Sequence, residues 1–128
     1  MADNYLEKRM EDYRRGGGRA VVRRPQSGVR FLMVAALDER VEAAVEKLQK
    51  GGCRVAFMEV ERRRGSEFAQ RSGSLFIPVK GYDADALAFA IKIVSERWGT
   101  VDFIIAAPSV DRSVIVGIAG KEIDVLYL

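Results

Sequence analysis

The sequence predicts an α/β domain in three layers, with helices on both faces of a mostly parallel sheet. Three observations predict it: apolar runs of strand length recur from residue 29 onward, segments with apolar residues at helical spacing separate them, and glycines close those segments. A chain of 128 residues with 48% hydrophobic content suits one such domain, large enough to bury a core without metal or disulfide staples.

Each element follows from its pattern. "VRFLMVAA" (29–36) is the nearly continuous apolar run of a strand covered on both faces, and Val41, Ala44, Val45 and Leu48 then repeat at helical spacing up to Gly51 and Gly52. "RVAFMEV" (54–60) is the second strand, "RRRGSEFAQRSG" a loop with one helical turn, and "SLFIPV" (74–79) the third strand. Asp83 caps a helix whose buried stripe is Leu87, Ala90, Ile91, Val94 and Trp98, closed by Gly99, and "VDFIIAA" (101–107) is the fourth strand. Right-handed crossovers between these strands give the order 3-2-1-4.

The tail "DRSVIVGIAGKEIDVLYL" offers two strand-like runs, 113–118 and 122–128, around a turn at Ala119–Lys121. The link from Ala107 to Ser113 is too short for a crossover helix, so the first run is expected to return antiparallel or to pair with another chain. A terminal "VLYL" is an edge that invites pairing, and the expected partner is a second copy, giving a homodimer or higher homo-oligomer through the C-terminal strands and the N-terminal helix; a monomeric edge covered by its own helix is the alternative.

Residues 1–28 form a separate N-terminal helix and linker, and 29–128 one domain. Asn4 and Glu7 have capping-box spacing, Leu6, Met10 and Tyr13 share a face beside Tyr5, and "GGGRAVVRRPQSG" is a linker. The net charge of +3 lies wholly in this arm, with seven Lys/Arg against four acids, while the remaining residues balance at fourteen each. A solvated arm explains that excess more economically than nucleic-acid binding, which is not expected.

Composition excludes several chemistries. With one cysteine, Cys53, and no histidine, the chain cannot build an intramolecular disulfide, a Cys/His zinc site, a Cys-His dyad or a Ser-His-Asp triad, and no metal site is expected. Neither a signal-peptide-like start nor an apolar run of spanning length is present, so a cytoplasmic location without membrane contact is expected, with Cys53 as a core residue.

The residues also carry a resemblance. "GGCRVAFMEVERR", "SLFIPVKGYDADALAFAIKIVSERWGTVDFIIAAPS" and the spacing between them resemble the N-terminal, Rossmann-fold half of the short-chain dehydrogenase/reductase family of NAD(P)-dependent oxidoreductases, over residues 29–109. The most family-like phrase is "VSERWGTVDFII", with its aromatic-Gly-x-aliphatic-Asp join. The resemblance implies a dinucleotide site above Ala36 and Ala106, with Leu37 in the phosphate turn, Glu59 toward the ribose hydroxyls, and Arg62, Arg63 and Arg64 where NADP-preferring members keep basic residues.

The matching positions depart from that pattern. The family's three turn glycines fall near Ala35, Glu39 and Val41, where Asp38 and Glu39 suit a helix N-terminus but repel a diphosphate. Lys80 replaces an acid, and the Asn-Asn-Ala-Gly signature is Ala106-Ala107-Pro108-Ser109. The family's catalytic serine, tyrosine and lysine lie beyond the fourth strand, and none of Tyr5, Tyr13, Tyr82 and Tyr127 has a lysine four residues on. The expectation is therefore a non-catalytic, dehydrogenase-like domain acting as an oligomeric interaction or regulatory protein without a cofactor. An NAD(P)- or nucleotide-binding module using Ala36, Leu37, Glu59, Arg62 and Ala106 is the alternative; for Glu59 and the arginines, a strand-end acid and a solvated loop is the simpler reading.

Overall fold

A computed structural model describes residues 28–128 of the chain, so the expected N-terminal helix and linker fall almost entirely outside the described residues. Among the described residues nine elements alternate: β1 (Arg30–Val34), α1 (Glu39–Lys50), β2 (Arg54–Glu59), α2 (Arg62–Ser72), β3 (Leu75–Pro78), α3 (Ala84–Trp98), β4 (Phe103–Ala106), α4 (Arg112–Ala119) and β5 (Asp124–Tyr127). The strands form one five-stranded sheet in the order β3-β2-β1-β4-β5 with every neighbouring pair parallel.

The period of two along the strands sorts side chains between two cores. Phe31, Met33, Val55, Phe57, Phe103 and Ile105 face α1 and α2, where they meet Val41, Val45, Leu48 and Phe68. Leu32, Val34, Ala56, Met58, Ile77, Ile104 and Ala106 face α3 and α4, where they meet Leu87, Ala90, Val94, Ile115 and Ala119. On the first face, register partners stack as ring pairs, Phe31 on Phe103 at 5.1 Å and Phe57 on Phe76 at 5.5 Å between centroids.

Helix ends are set by side chains. Asp38, Asp83 and Asp111 each accept a backbone N–H of the first turn, from Val41, Ala86 and Ser113 respectively, all at 2.9 Å. Ser113 donates its hydroxyl to Asp111 as well, and these bonds hold the Asp111 carboxyl below its ordinary pKa. At the opposite end of α1, the Gln49 amide accepts the Val55 N–H at 2.9 Å and donates to the Ser72 carbonyl at 3.3 Å, joining α1, β2 and the end of α2.

Three expectations are corrected. The run 113–118 is not an antiparallel strand but the centre of α4: with Asp111 as its cap, the run itself is the crossover, and eight residues advance about 12 Å, enough to return the chain along a four-residue strand. The last run accordingly enters as a parallel strand, β5, so the sheet has five strands and the order 3-2-1-4 is incomplete, with β5 outside β4. The stretch after β2 is an eleven-residue helix, α2, rather than a loop with one turn. It starts without a side-chain cap bond and with three arginines at the end where the helix dipole disfavours cations, and tertiary packing of Phe68 offsets both.

Gly65 explains how α2 comes so close to the sheet. A Cβ built there would overlap the ring of Phe76 on β3, although the glycine's own backbone is helical. Gly65→Ala is expected to destabilise the fold by about 1–3 kcal/mol, the usual cost of overpacking, against the small gain that alanine brings in an open helix. Urea unfolding followed by circular dichroism measures this, and an unchanged midpoint would show that Phe76 moves aside freely.

Candidate functional site

In parallel α/β sheets ligands meet the carboxyl ends of the strands, where the turns leave free backbone groups. Here that crest is made of the turn Ala35–Asp38 after β1, residues Glu59–Glu61 after β2, the segment Lys80–Tyr82 before α3, residues Ala107–Asp111 after β4, and Tyr127 at the end of β5.

Glu59 organises this crest. It is 5% exposed, and its two carboxylate oxygens accept different backbone N–H groups at 2.8 Å: Leu37 of the β1 turn on one, Glu61 at the start of α2 on the other. A buried acid must have such partners, and here the protein itself supplies them. The two donors lie 22 residues before and 2 residues after Glu59, so one side chain ties two turns together.

The β1 turn is closed in the same sense. Ala35 is buried, Leu37 is 4% exposed and packs into the core on the α1 face, and only Ala36 of the three faces solvent. At the start of α1 the Val41 N–H goes to Asp38, and Glu39 and Glu42 add negative charge to the first turn. Two donors of this turn, the N–H groups of Leu37 and Val41, are thus engaged by carboxylates of the chain, in a field unfavourable to an anion.

The other candidate positions are dispersed. Ala106 is fully buried beside Val34, its register partner, and contributes a methyl group to the α3 core. Arg62 is exposed on the first turn of α2. Arg63 pairs with Glu67 at 3.1 Å, while Arg64 and Arg71 both reach Glu42, at 3.2 and 2.6 Å, which draws them toward the seam between α1 and α2. That seam holds a surface depression of about 340 Å³ lined by Glu42, Glu61, Arg64, Phe68, Arg71 and their neighbours, and a second of about 230 Å³ lies beside Gln49 and Ser72. Of the arginine run, Arg64 bridges this seam. Among the described residues no cluster of acids and thiols is gathered to hold a metal ion, and no helix is long and apolar enough to cross a membrane.

Sequence reasoning missed one crest residue, Tyr82. Its hydroxyl donates to the Met58 carbonyl at 3.0 Å, and desolvation, then the nearby Glu59 charge, pushes its pKa up to about 12. A phenol that keeps its proton so firmly, already given to a carbonyl, is displaced away from the range an acid/base catalyst needs. The available signal was its position immediately before the Asp83 cap of α3, where a large side chain commonly packs against the helix's first turn.

Solved structures share this fold. The chain is similar to a short-chain dehydrogenase/reductase from Brucella melitensis described as a glucose/ribitol dehydrogenase, with a TM-score of 0.56 at 19% identity, over 68% of this chain and 39% of that one. It is similar as well to a short-chain dehydrogenase/reductase from Serratia marcescens, with a TM-score of 0.53 at 23% identity, over 64% of this chain and 36% of that one. The likeness is one of fold. The domain has a Rossmann-like fold similar to that of these short-chain dehydrogenases/reductases, and the match covers less than two-fifths of their length. No family model matches the sequence, and no curated protein matches it.

Two measurements probe the crest. Glu59→Ala would strand two N–H groups, at about 1–3 kcal/mol for each donor left unsatisfied, and Glu59→Gln, which retains one acceptor oxygen, should lose less; denaturant unfolding separates the two. Spectrophotometric titration should show a phenol ionising near 12 that is absent from Tyr82→Phe. Because the folded-state value lies above the ordinary 10.0, the unfolded chain releases this proton first, and the Tyr82 contribution to stability falls between about pH 10 and 12.

Proposed function

We propose that this chain is a non-catalytic, dehydrogenase-like Rossmann domain that works as a homo-oligomeric interaction or regulatory protein. The observation that carries the reading is the occupation of the phosphate turn from within, where the Leu37 N–H is bonded to Glu59 and the Val41 N–H to Asp38. A dinucleotide would have to replace both bonds, leave the Glu59 carboxylate without its Leu37 donor, and set its diphosphate beside Asp38 and Glu39. The fold's helical layers offer surface for protein contacts, and neither a bound cofactor nor nucleic acid has a part in this role.

The alternative is an NAD(P)- or nucleotide-binding module related to the oxidoreductases whose fold it shares, and it is favoured by that likeness and by Arg62 directly following Glu61, whose N–H Glu59 accepts. Thermal unfolding of the full chain with NAD, NADP or ADP distinguishes them, since a ligand bound to the folded state alone raises its stability by RT ln(1 + [L]/Kd). No change in midpoint is expected at millimolar ligand. A rise with NADP that Arg62→Ala removes would overturn the non-binding reading. Light scattering is expected to give a dimer or a larger species, and a monomer at all accessible concentrations would overturn the oligomeric reading.

A further inference from the structure

Resting on the oligomeric reading, we infer that the self-association surface is the outer face of α3, packed antiparallel against α3 of a second copy about a twofold axis between Ala88 and Phe89. This contact is distinct from the C-terminal strands and N-terminal helix that the sequence suggests.

The period of the helix sorts α3 into two faces. Leu87, Ala90 and Val94 are buried against the sheet. The positions that fall opposite them at 3.6 residues per turn are Asp85, Ala88, Phe89, Lys92 and Glu96, and all five are exposed. Such an outward stripe is ordinarily polar, yet this one carries a phenylalanine that is 48% exposed, the one aromatic ring among the large apolar side chains exposed in the described residues. A lone exposed ring is common on protein surfaces. The residues on either side of this one make it half of a matched contact.

The stripe is also well placed to be met by a second layer. α3 packs on the central strand β1 and beside α4, so its outer face lies in the middle of this side of the sheet. The neighbouring α4 turns Ser113 and Gly117 to solvent, and neither is large enough to hold another protomer away.

Size and charge select a second copy as the occupant, because the stripe is complementary to itself. A twofold axis midway between residues 88 and 89 of antiparallel helices sets Phe89 of each copy over Ala88 of the other, a ring against a methyl group. The same operation sets Asp85 of each copy opposite Lys92 of the other, about 5 Å from the axis along the helix, so two ion pairs flank the two rings. Glu96 comes opposite Gly81 of the other copy, next to Lys80, so the outermost positions carry opposite charges as well. Among the described residues no ion pair engages Lys80, Asp85, Lys92 or Glu96, and the remaining charges, Asp83 at the cap and Arg97, lie off the stripe. A parallel approach would instead oppose Asp85 to Asp85, Lys92 to Lys92 and Glu96 to Glu96.

The test uses the full chain, with light scattering across a concentration series. Phe89→Glu, at a position open to solvent in a single protomer, should halve the mass at concentrations where the wild type is associated, with an unchanged far-ultraviolet spectrum. Lys92→Glu, which sets like charges across the axis, should raise the dissociation constant at least about tenfold, and adding Asp85→Lys to it should recover most of that loss. An associated wild type whose mass Phe89→Glu leaves unchanged would overturn the α3 contact while leaving the oligomeric reading in place. If trypsin then also cuts faster after Arg14 and Arg15 in that variant, the chain's own N-terminal residues are what α3 holds. An oligomer that Phe89→Glu breaks but the double charge exchange does not rescue would overturn the antiparallel register. A wild type that is monomeric at all accessible concentrations would overturn the oligomeric reading and this contact together.

Discussion

A parallel sheet with two covered faces leaves its backbone polar groups in trouble wherever a strand stops, because the turns at the crest are close to the core and short of water. Glu59 resolves this for two turns at once. Its buried carboxylate is acceptable only because Leu37 and Glu61 both donate to it, and those two turns have fixed positions largely because the carboxylate is there. The rest of the crest is built around that clasp: Leu37 can turn its side chain down into the core, α1 can begin at Asp38 without a glycine, and Tyr82 lies close enough to feel the charge.

The same residue type at the same place in a dehydrogenase-like fold can look outward to a ligand or inward to the chain. What decides between these is the neighbouring turn. A glycine-rich turn exposes its amides and accepts an approaching phosphate, whereas a turn carrying Ala35, Leu37 and Asp38 directs two side chains to the core and one to the helix start. The domain has the fold's central strands and engages Glu59 and Asp38 with its own backbone N–H groups, and fold likeness alone therefore carries little information about chemistry.

Much of this was legible in the sequence where the signals are local. Asp83 with Leu87, Ala90 and Val94 marks α3 because the cap and the stripe lie within one helix, and the run from Phe31 to Val34 marks a central strand because both of its faces are apolar. Residues 113–118 misled because six apolar and small residues fit a strand or a short helix equally well, and only the Asp111–Ser113 cap bonds decide. Arg62 to Gly65 hid a helix because three cations and a glycine argue locally against one, while the compensation comes from Phe68 and from the space that Phe76 requires. Glu59 was visible as an acid at the end of a strand. Its commitment to the chain was not, since the decisive donor belongs to a residue 22 positions earlier.

At the opposite end of the sheet, Asp102 accepts the Arg30 backbone N–H at 2.9 Å and returns its own N–H to the Arg30 carbonyl, with the Arg30 side chain buried beside it. This pairing sets how β1 and β4 align before either strand reaches the crest. The alignment of the scaffold and the chemistry of its rim are therefore held by different residues at different ends. Changes to residues 35–41 can redraw what the rim recognises without asking the strands to slide, which makes the domain a frame onto which an anion-binding turn could be placed while its foundations stay put.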